Sequence, residues 1–288
     1  MLDEPRSGRL AAWGNALLAG LVSPDDAAHR MTGADASHRV ADLPERPAPP
    51  GVTPNAAPVG LTLAIGRLRA LGATGLCVAL PVAGHPLGLS GPPEFNARAL
   101  EAGEAVIAVG VALGLVPEVR RAGPQVPDGA VGLGSPNGGA VTDEDVHTEV
   151  LWRCLPVREA PPADVPSLGE AERELPDALR EATQVLSQLN VAGSGPVAAA
   201  ALDAYRARAE RNREVLAPGY PPRAVRVLEL AQRVAALVDI AYGPEHGGAV
   251  SASEIAARAA ALRPVERTAR RAQVAAYNAY VEQRLRQP

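Results

Sequence analysis

Three prolines fall within the ten residues Val157 to Pro166, and the hydrophobic period changes across them. Before them, Val146, Thr148, Val150, Trp152 and Cys154 alternate with Asp145, His147, Glu149, Leu151 and Arg153. That period of two predicts a strand with one buried face and one largely polar face. After them, apolar residues recur only at spacings of three and four, the period of helices. The predicted fold class is therefore α+β: N-terminal helices plus a small mixed or antiparallel sheet, followed by an all-α helical bundle. The expected division is residues 1–160, with a proline-rich connector at 44–58, and residues 167–288.

Within the first half, Leu10, Trp13, Leu17 and Leu21 share a helical face over residues 8–22. Ser23-Pro24-Asp25-Asp26 then supplies an N-cap, a first-turn proline and acids suited to a helix N-terminus. A third helix from Leu61 is predicted to stop at Gly72 and to feed a strand over Gly75 to Val82. Gly84 to Pro93 reads as a loop and Glu94 to Ala102 as a helix. Residues 105–113 fit helix or strand. The reading taken is a helix capped by Gly114, then a strand from Leu115 to Arg120. Asn137-Gly138 predicts a hairpin turn, because Asn-Gly tolerates positive φ.

In the second half, Ser167 and Glu170 have capping-box spacing, with Pro176 kinking or restarting the helix they begin. A helix is predicted from Pro196. Residues 222–242 carry the stripe Val227, Leu230, Val234, Leu237 and Ala241, flanked by Leu228, Ala231, Ala235 and Val238, wide enough for a central bundle helix. Ser251 and Glu254 suggest another capping box, and a last helix is expected from about Pro264.

Composition narrows the chemistry. All 28 basic residues are arginine, so a Schiff-base lysine, a phosphate-loop lysine and a Ser-Lys dyad are excluded. Ala, Gly, Pro and Arg fill 141 of 288 positions, the bias of a G/C-rich coding sequence. With 57 Ala but one Phe and two Trp, close helix packing is favoured over an aromatic pocket. A net charge of -4 without a concentrated basic footprint makes nucleic acid an unfavoured partner. Cys77 and Cys154 each lie in apolar runs and read as buried thiols of a reduced compartment. The N-terminus lacks a basic leader, and the longest uncharged run, Ala70 to Pro93, holds four prolines, so neither a signal peptide nor a membrane helix is expected. The expected location is the cytoplasm.

Gly132-Leu-Gly134 lacks the third glycine of a dinucleotide fingerprint, and no serine has the flanking glycines of a nucleophile elbow. Two distant cysteines and five scattered histidines give no zinc spacing. No metal and no cofactor are expected. The dense polar set is the strand face Asp143, Asp145, His147, Glu149 and Arg153, where carboxylates alternate with an imidazole. Asp145, His147, Glu149 and Arg153 are the ligand-binding candidates, against the simpler reading of a solvated sheet face. In the tail, Ser253 to Arg258 is similar to the first helix of a helix-turn-helix, with Arg263, Arg267, Arg270 and Arg271 placed to face phosphate. Ala260 and Ala261 stand where a turn glycine is common, and a solvated arginine face is the simpler reading.

The phrases Leu10-Ala-Ala-Trp-Gly-Asn-Ala-Leu-Leu-Ala-Gly20, Ser23-Pro-Asp-Asp26 and Leu68-Arg-Ala-Leu-Gly-Ala-Thr-Gly-Leu76 resemble those of uncharacterised hypothetical proteins of high-GC bacteria. The resemblance implies no activity and no site residues.

The expected function is that of a cytoplasmic protein-interaction or regulatory protein without catalytic activity, with a protein partner or a second copy of itself. The alternatives are a small-molecule-binding protein or enzyme using the strand face 143–153, and a DNA-binding protein using the C-terminal helices.

Overall fold

The computed structural model describes residues 4–45, 57–123, 147–158, 162–188, 216–242 and 252–286. Most of the connector 44–58, the Asn137-Gly138 turn, the helix expected from Pro196, and Ser251 lie outside them.

Helix α1 (Arg6–Leu18) and α2 (Pro24–Thr32) form the opening hairpin. Ser23 caps α2 as its sequence predicts, its hydroxyl accepting the Asp26 amide proton at 3.1 Å. Leu21, expected on the α1 stripe, lies beyond the helix end and is 50% exposed. Strands β1 (Ser37–Ala41) and β2 (Val59–Gly60) lead into α3 (Leu61–Leu71), which Gly72 ends in the left-handed region at φ 112°. Strand β3 (Gly75–Ala79), helix α4 (Pro93–Ala102), and strands β4 (Ala105–Val109), β5 (Leu113–Ala122) and β6 (His147–Pro156) complete the first half.

The strand β4 corrects the helix expected at 105–113. Gly103, at φ 73°, ends α4, and Gly110 (φ 90°) and Ala112 (φ 47°) turn the chain into β5. The β-branched Val106, Ile107 and Val109 then pack on a pleated surface. Gly114 is not a helix cap. It lies within β5, where a Cβ would stand 2.5 Å from the Phe95 ring.

The six strands form one mixed sheet in the order β2-β1-β6-β5-β4-β3, with β1 parallel to β6 and the other neighbours antiparallel. The period-two pattern is realised in β6. Val150, Trp152 and Cys154 face the core beside Val40 and Leu115, while His147 and Glu149 are exposed. On the opposite face, α4 covers the β4–β5 side, burying Phe95 and Ala99 against Ala79, Ala105 and Val116.

After β6 come α5 (Leu168–Gln188), α6 (Pro222–Tyr242) and α7 (Ala252–Arg286). Ser167 and Glu170 close the predicted capping box around the start of α5, and Pro176 lies inside an uninterrupted helix. Both α5 and α6 pack on α7, an arrangement compatible with a bundle. The buried α6 face holds Val227 and Val234 of the predicted stripe and all four of its predicted flanking residues, but not Leu237. Ala224, Val227, Leu228, Ala231, Val234, Ala235 and Val238 are buried, whereas Leu237 is 40% exposed. Pro264 does not begin a helix, because α7 continues through it, and Ala260 and Ala261, where a helix-turn-helix would need its turn, are helical.

One core runs through both halves, from Leu10 and Trp13 through Leu76, Val106 and Trp152 to Val227, Tyr277 and Val281. The tie is polar as well as apolar. β3 is a terminal strand of the sheet, and terminal strands leave unpaired amides and carbonyls. Asn15 of α1 accepts from the Leu76 amide at 2.7 Å and donates to its carbonyl at 2.9 Å. Asn278 of α7 does the same for Val78, at 2.6 and 3.1 Å. Two asparagine side chains thus occupy the place of a seventh strand. Asn15 also donates to Tyr220 Oη, which in turn donates to the Tyr277 carbonyl at 2.8 Å. Tyr277, Asn278 and Tyr280 are buried, at 0, 7 and 7% exposure.

Candidate functional site

The polar strand face divides into two ends. Glu149 stands opposite Arg120 across β5–β6, and His147 opposite Ala122. All four are exposed. Arg153 lies six residues from His147 on the same face, roughly 20 Å along the strand. Its Nε donates to Glu118 at 3.0 Å and its Nη1 to Asp42 at 2.9 Å. These hydrogen bonds, Asp42 first and Glu118 second, hold the guanidinium pKa above its ordinary value. Arg98 extends the chain of charge to Glu118 at 3.9 Å and Glu94 at 3.8 Å. The structure therefore joins Arg153 to Glu118 and Asp42 and does not bring it together with His147. Asp143 and Asp145 lie outside the described residues.

A second polar network, behind the same strand, escaped the sequence reading. Asp35, in the turn before β1, accepts both Arg6 Nε and Arg6 Nη2 at 2.8 Å, and Arg9 Nη2 at 3.2 Å. His38, the second residue of β1, has its Nε2 2.9 Å from Asp35 Oδ2, and its Nδ1 receives the Trp152 indole N–H at 3.2 Å. Because the indole only donates, Nδ1 carries no proton, and the imidazole is the neutral tautomer with Nε2–H on Asp35. Burial pulls the His38 pKa below its ordinary value, against the opposing pull of Asp35. Burial pushes the Asp35 carboxyl up, but the hydrogen bonds from Arg6 and His38 and the charge of Arg6 outweigh it and leave the pKa lowered. With both ring nitrogens engaged, His38 is a strut joining α1, β1 and β6 and has no free base to offer. The sequence held one trace of this network, the Asp35-to-His38 spacing of three at a strand entrance, but its partners are 29 and 114 positions away.

The thiols are equally committed to structure. Cys77 and Cys154 are free, and burial pushes each up to about 12. Among the described residues no cluster of three or more His, Cys, Asp or Glu could hold a metal ion. No helix of the described residues is long and apolar enough to cross a membrane. In the tail, Arg271 pairs with Asp164 and Glu174, Arg267 with Asp164, and Arg270 with Glu266.

Comparison with known proteins adds relatives. Residues 7–165 match the model of the Rv1486c-like protein N-terminal domain, and residues 169–274 that of its C-terminal domain. The chain is 31% identical to uncharacterized protein Rv1486c of Mycobacterium tuberculosis, over 94% of this chain and 95% of that one. It is 30% identical to uncharacterized protein ML1804 of Mycobacterium leprae, over 70 and 67% of the two chains. It is 30% identical to uncharacterized protein MAV321 of Mycobacterium avium, over 70% of each. No solved structure matches.

Proposed function

The chain belongs to the Rv1486c-like family, and from that premise we propose that it is a non-catalytic interaction or regulatory protein of the cytoplasm, acting through protein contacts. The observation that carries the reading is the polar side of the sheet, beyond the part that α4 covers. There Arg39, Arg120, Glu149 and His147 stand exposed on β1, β5 and β6, spread along a sheet face and not converging on a point. Flat, mixed-charge surfaces suit recognition of another macromolecule, with charge pattern setting partner choice and encounter rate. A small ligand requires concavity and convergent polar groups. On this face Arg153 already spends its fork on Asp42 and Glu118.

The test uses a charge swap that keeps opposite charges opposite. Arg120 and Glu149 are direct cross-strand neighbours, so Arg120→Glu combined with Glu149→Arg preserves their complementarity while reversing the pattern a partner meets. Crosslinking in the native host should give a defined set of partner peptides, or of self-crosslinks, on β1, β5 and β6 of the wild type. The swap should lose them at unchanged circular dichroism. Identical crosslinks from both proteins would overturn the proposal.

A further inference from the structure

Where the two halves meet, the loop after β3, the linker after β6 and helix α7 bring a histidine and two arginines onto one carboxylate, Asp164. The loop turns tightly at Val82 and His85, which exchange backbone hydrogen bonds of 3.1 and 2.8 Å. Two residues on, Leu87 is held at φ 42° with its side chain fully buried, and the Gly88 amide donates to the Ala163 carbonyl of the linker at 2.8 Å. Asp164 follows at φ 56°. Positive φ is costly for a leucine, and such strain persists where the surroundings impose it, as they do at ligand clamps. Here it fixes His85 beside Asp164.

The two carboxylate oxygens are treated differently. Arg271 Nε lies 3.4 Å from both Oδ1 and the Asp164 carbonyl, and its Nη1 donates to Glu174 at 2.8 Å. Oδ2 has Arg267 Nη2 at 3.5 Å and His85 Nδ1 at 3.9 Å. Both Oδ2 and Nδ1 are sealed from solvent without a hydrogen-bond partner. The side chains of Arg267 and His85 are nonetheless 50 and 28% exposed. Asp164 therefore faces the inner edge of each group, and the outer edges, His85 Nε2 and the rest of the Arg267 fork, remain on the solvent side. An imidazolium has a donor on each nitrogen. Nδ1–H then serves Oδ2, and Nε2–H points outward. Arg263, Arg267 and Arg271 follow one another at spacings of four along α7, where like charges repel and weaken a helix. Among the described residues Arg271 has two carboxylate partners, Arg267 has Oδ2 alone, and Arg263 has no ion pair or hydrogen bond.

We propose that His85, Arg267 and Arg263 form a recognition site for a phosphate monoester, with Asp164 orienting the first two. A monoester dianion offers three strong acceptor oxygens. A guanidinium fork takes two of them in parallel hydrogen bonds, and the imidazolium Nε2–H suits the third. A phosphodiester has two such oxygens and one charge, so duplex DNA is the poorer fit. Arginine clusters read phosphorylated segments of proteins in this way, and free phosphate compounds share the chemistry. None of these residues lies on β1, β5 or β6, so the site stands independently of the polar sheet face.

The probes are a short phosphoserine peptide with neutral flanks, its unphosphorylated form, inorganic phosphate and a duplex DNA oligonucleotide. Each is titrated onto the full chain at one ionic strength, followed by calorimetry and by the ring NMR signals of His85. The phosphopeptide should bind saturably, one to one, and shift the His85 signals, and the unphosphorylated peptide should not bind. Arg267→Gln and His85→Asn should each weaken binding by at least about tenfold. Arg263→Gln, at an exposed position with no partner to lose, should weaken it severalfold without touching the fold. Arg226→Gln, at an exposed position on α6, should leave the affinity unchanged. Tighter binding of the phosphopeptide than of inorganic phosphate supports the site with a protein partner as the source, and equal binding supports it with a free phosphate compound. The proposal is overturned if no phosphate probe saturates, if Arg267→Gln and Arg263→Gln both bind as wild type does, or if DNA binds more tightly than the phosphopeptide.

Discussion

Asn278 treats Val78 as a neighbouring strand would, its Oδ1 accepting from the backbone amide and its Nδ2 donating to the carbonyl of the same residue. The amide orientation follows from the partners, since only oxygen can face N–H and only nitrogen can face C=O. A side chain from residue 278 thereby completes a sheet built from residues 37–156, and α7 becomes part of the fold of the first half. The partners are buried, so replacing Asn278 by leucine strands two backbone groups at similar volume. The expected loss is about 2–4 kcal/mol of unfolding free energy, read by urea denaturation. Asn15→Leu should cost at least as much, because it also removes the bond to Tyr220.

The Phe95 ring fills the space left by Gly114. A Cβ there would lie 2.5 Å from Phe95 Cε2 and 2.7 Å from Val157 Cγ1. Gly114→Ala should therefore destabilise by about 1–3 kcal/mol. The loss should be smaller when Phe95→Leu is already present, a coupling measurable by a double-mutant cycle.

His38 predicts an acid-side loss of stability. Its folded pKa lies below the ordinary 6.5, chiefly through burial. The unfolded chain therefore binds the proton first, and the stabilisation is complete above pH 6.5 and lost as pH falls toward the folded value. Protonating Nδ1 also breaks the Trp152 bond, so the tryptophan emission should shift in the same window. In His38→Gln that part of the pH profile should vanish.

Much of the architecture could be read from the sequence wherever a local signal decided it. Ser23 with Asp26, Ser167 with Glu170, and Gly72 after Leu71 place helix ends through contacts within a few residues. The alternation from Val146 to Cys154 places a strand face by period alone. Residues 105–113 were ambiguous because Ala, Val and Ile serve either element. Distant partners decided them, the cross-strand pairing with β3 and β5. Pro264 was misplaced because a proline inside a long helix carries the same local signal as one at its start. Of the site, His147, Glu149 and Arg153 were legible as one polar face, but their separation into two ends depends on Asp42 and Glu118. Asn15 and Asn278 were visible as polar residues in apolar helix surfaces. What they bind was not, since the β3 amides are 61 and 200 positions away.

The two thiols, Cys154 buried and Cys77 partly buried, predict chemical silence. With both pushed up to about 12, Cys77 and Cys154 carry almost no thiolate at pH 8. A chromogenic disulfide reagent should leave the native protein unlabelled at that pH and titrate both thiols once it is unfolded. Rapid native labelling of either would show that the strand carrying it opens locally.

The claim that α7 supplies the missing neighbour of β3 is tested most directly by native-state hydrogen exchange at the Leu76 and Val78 amides. In wild type both should exchange only through global unfolding, as core amides do. In Asn278→Leu the Val78 amide should become the faster of the two by at least about tenfold, while Leu76 stays tied to Asn15. Rapid exchange of both amides in the wild type, at the rates of an open sheet edge, would contradict it.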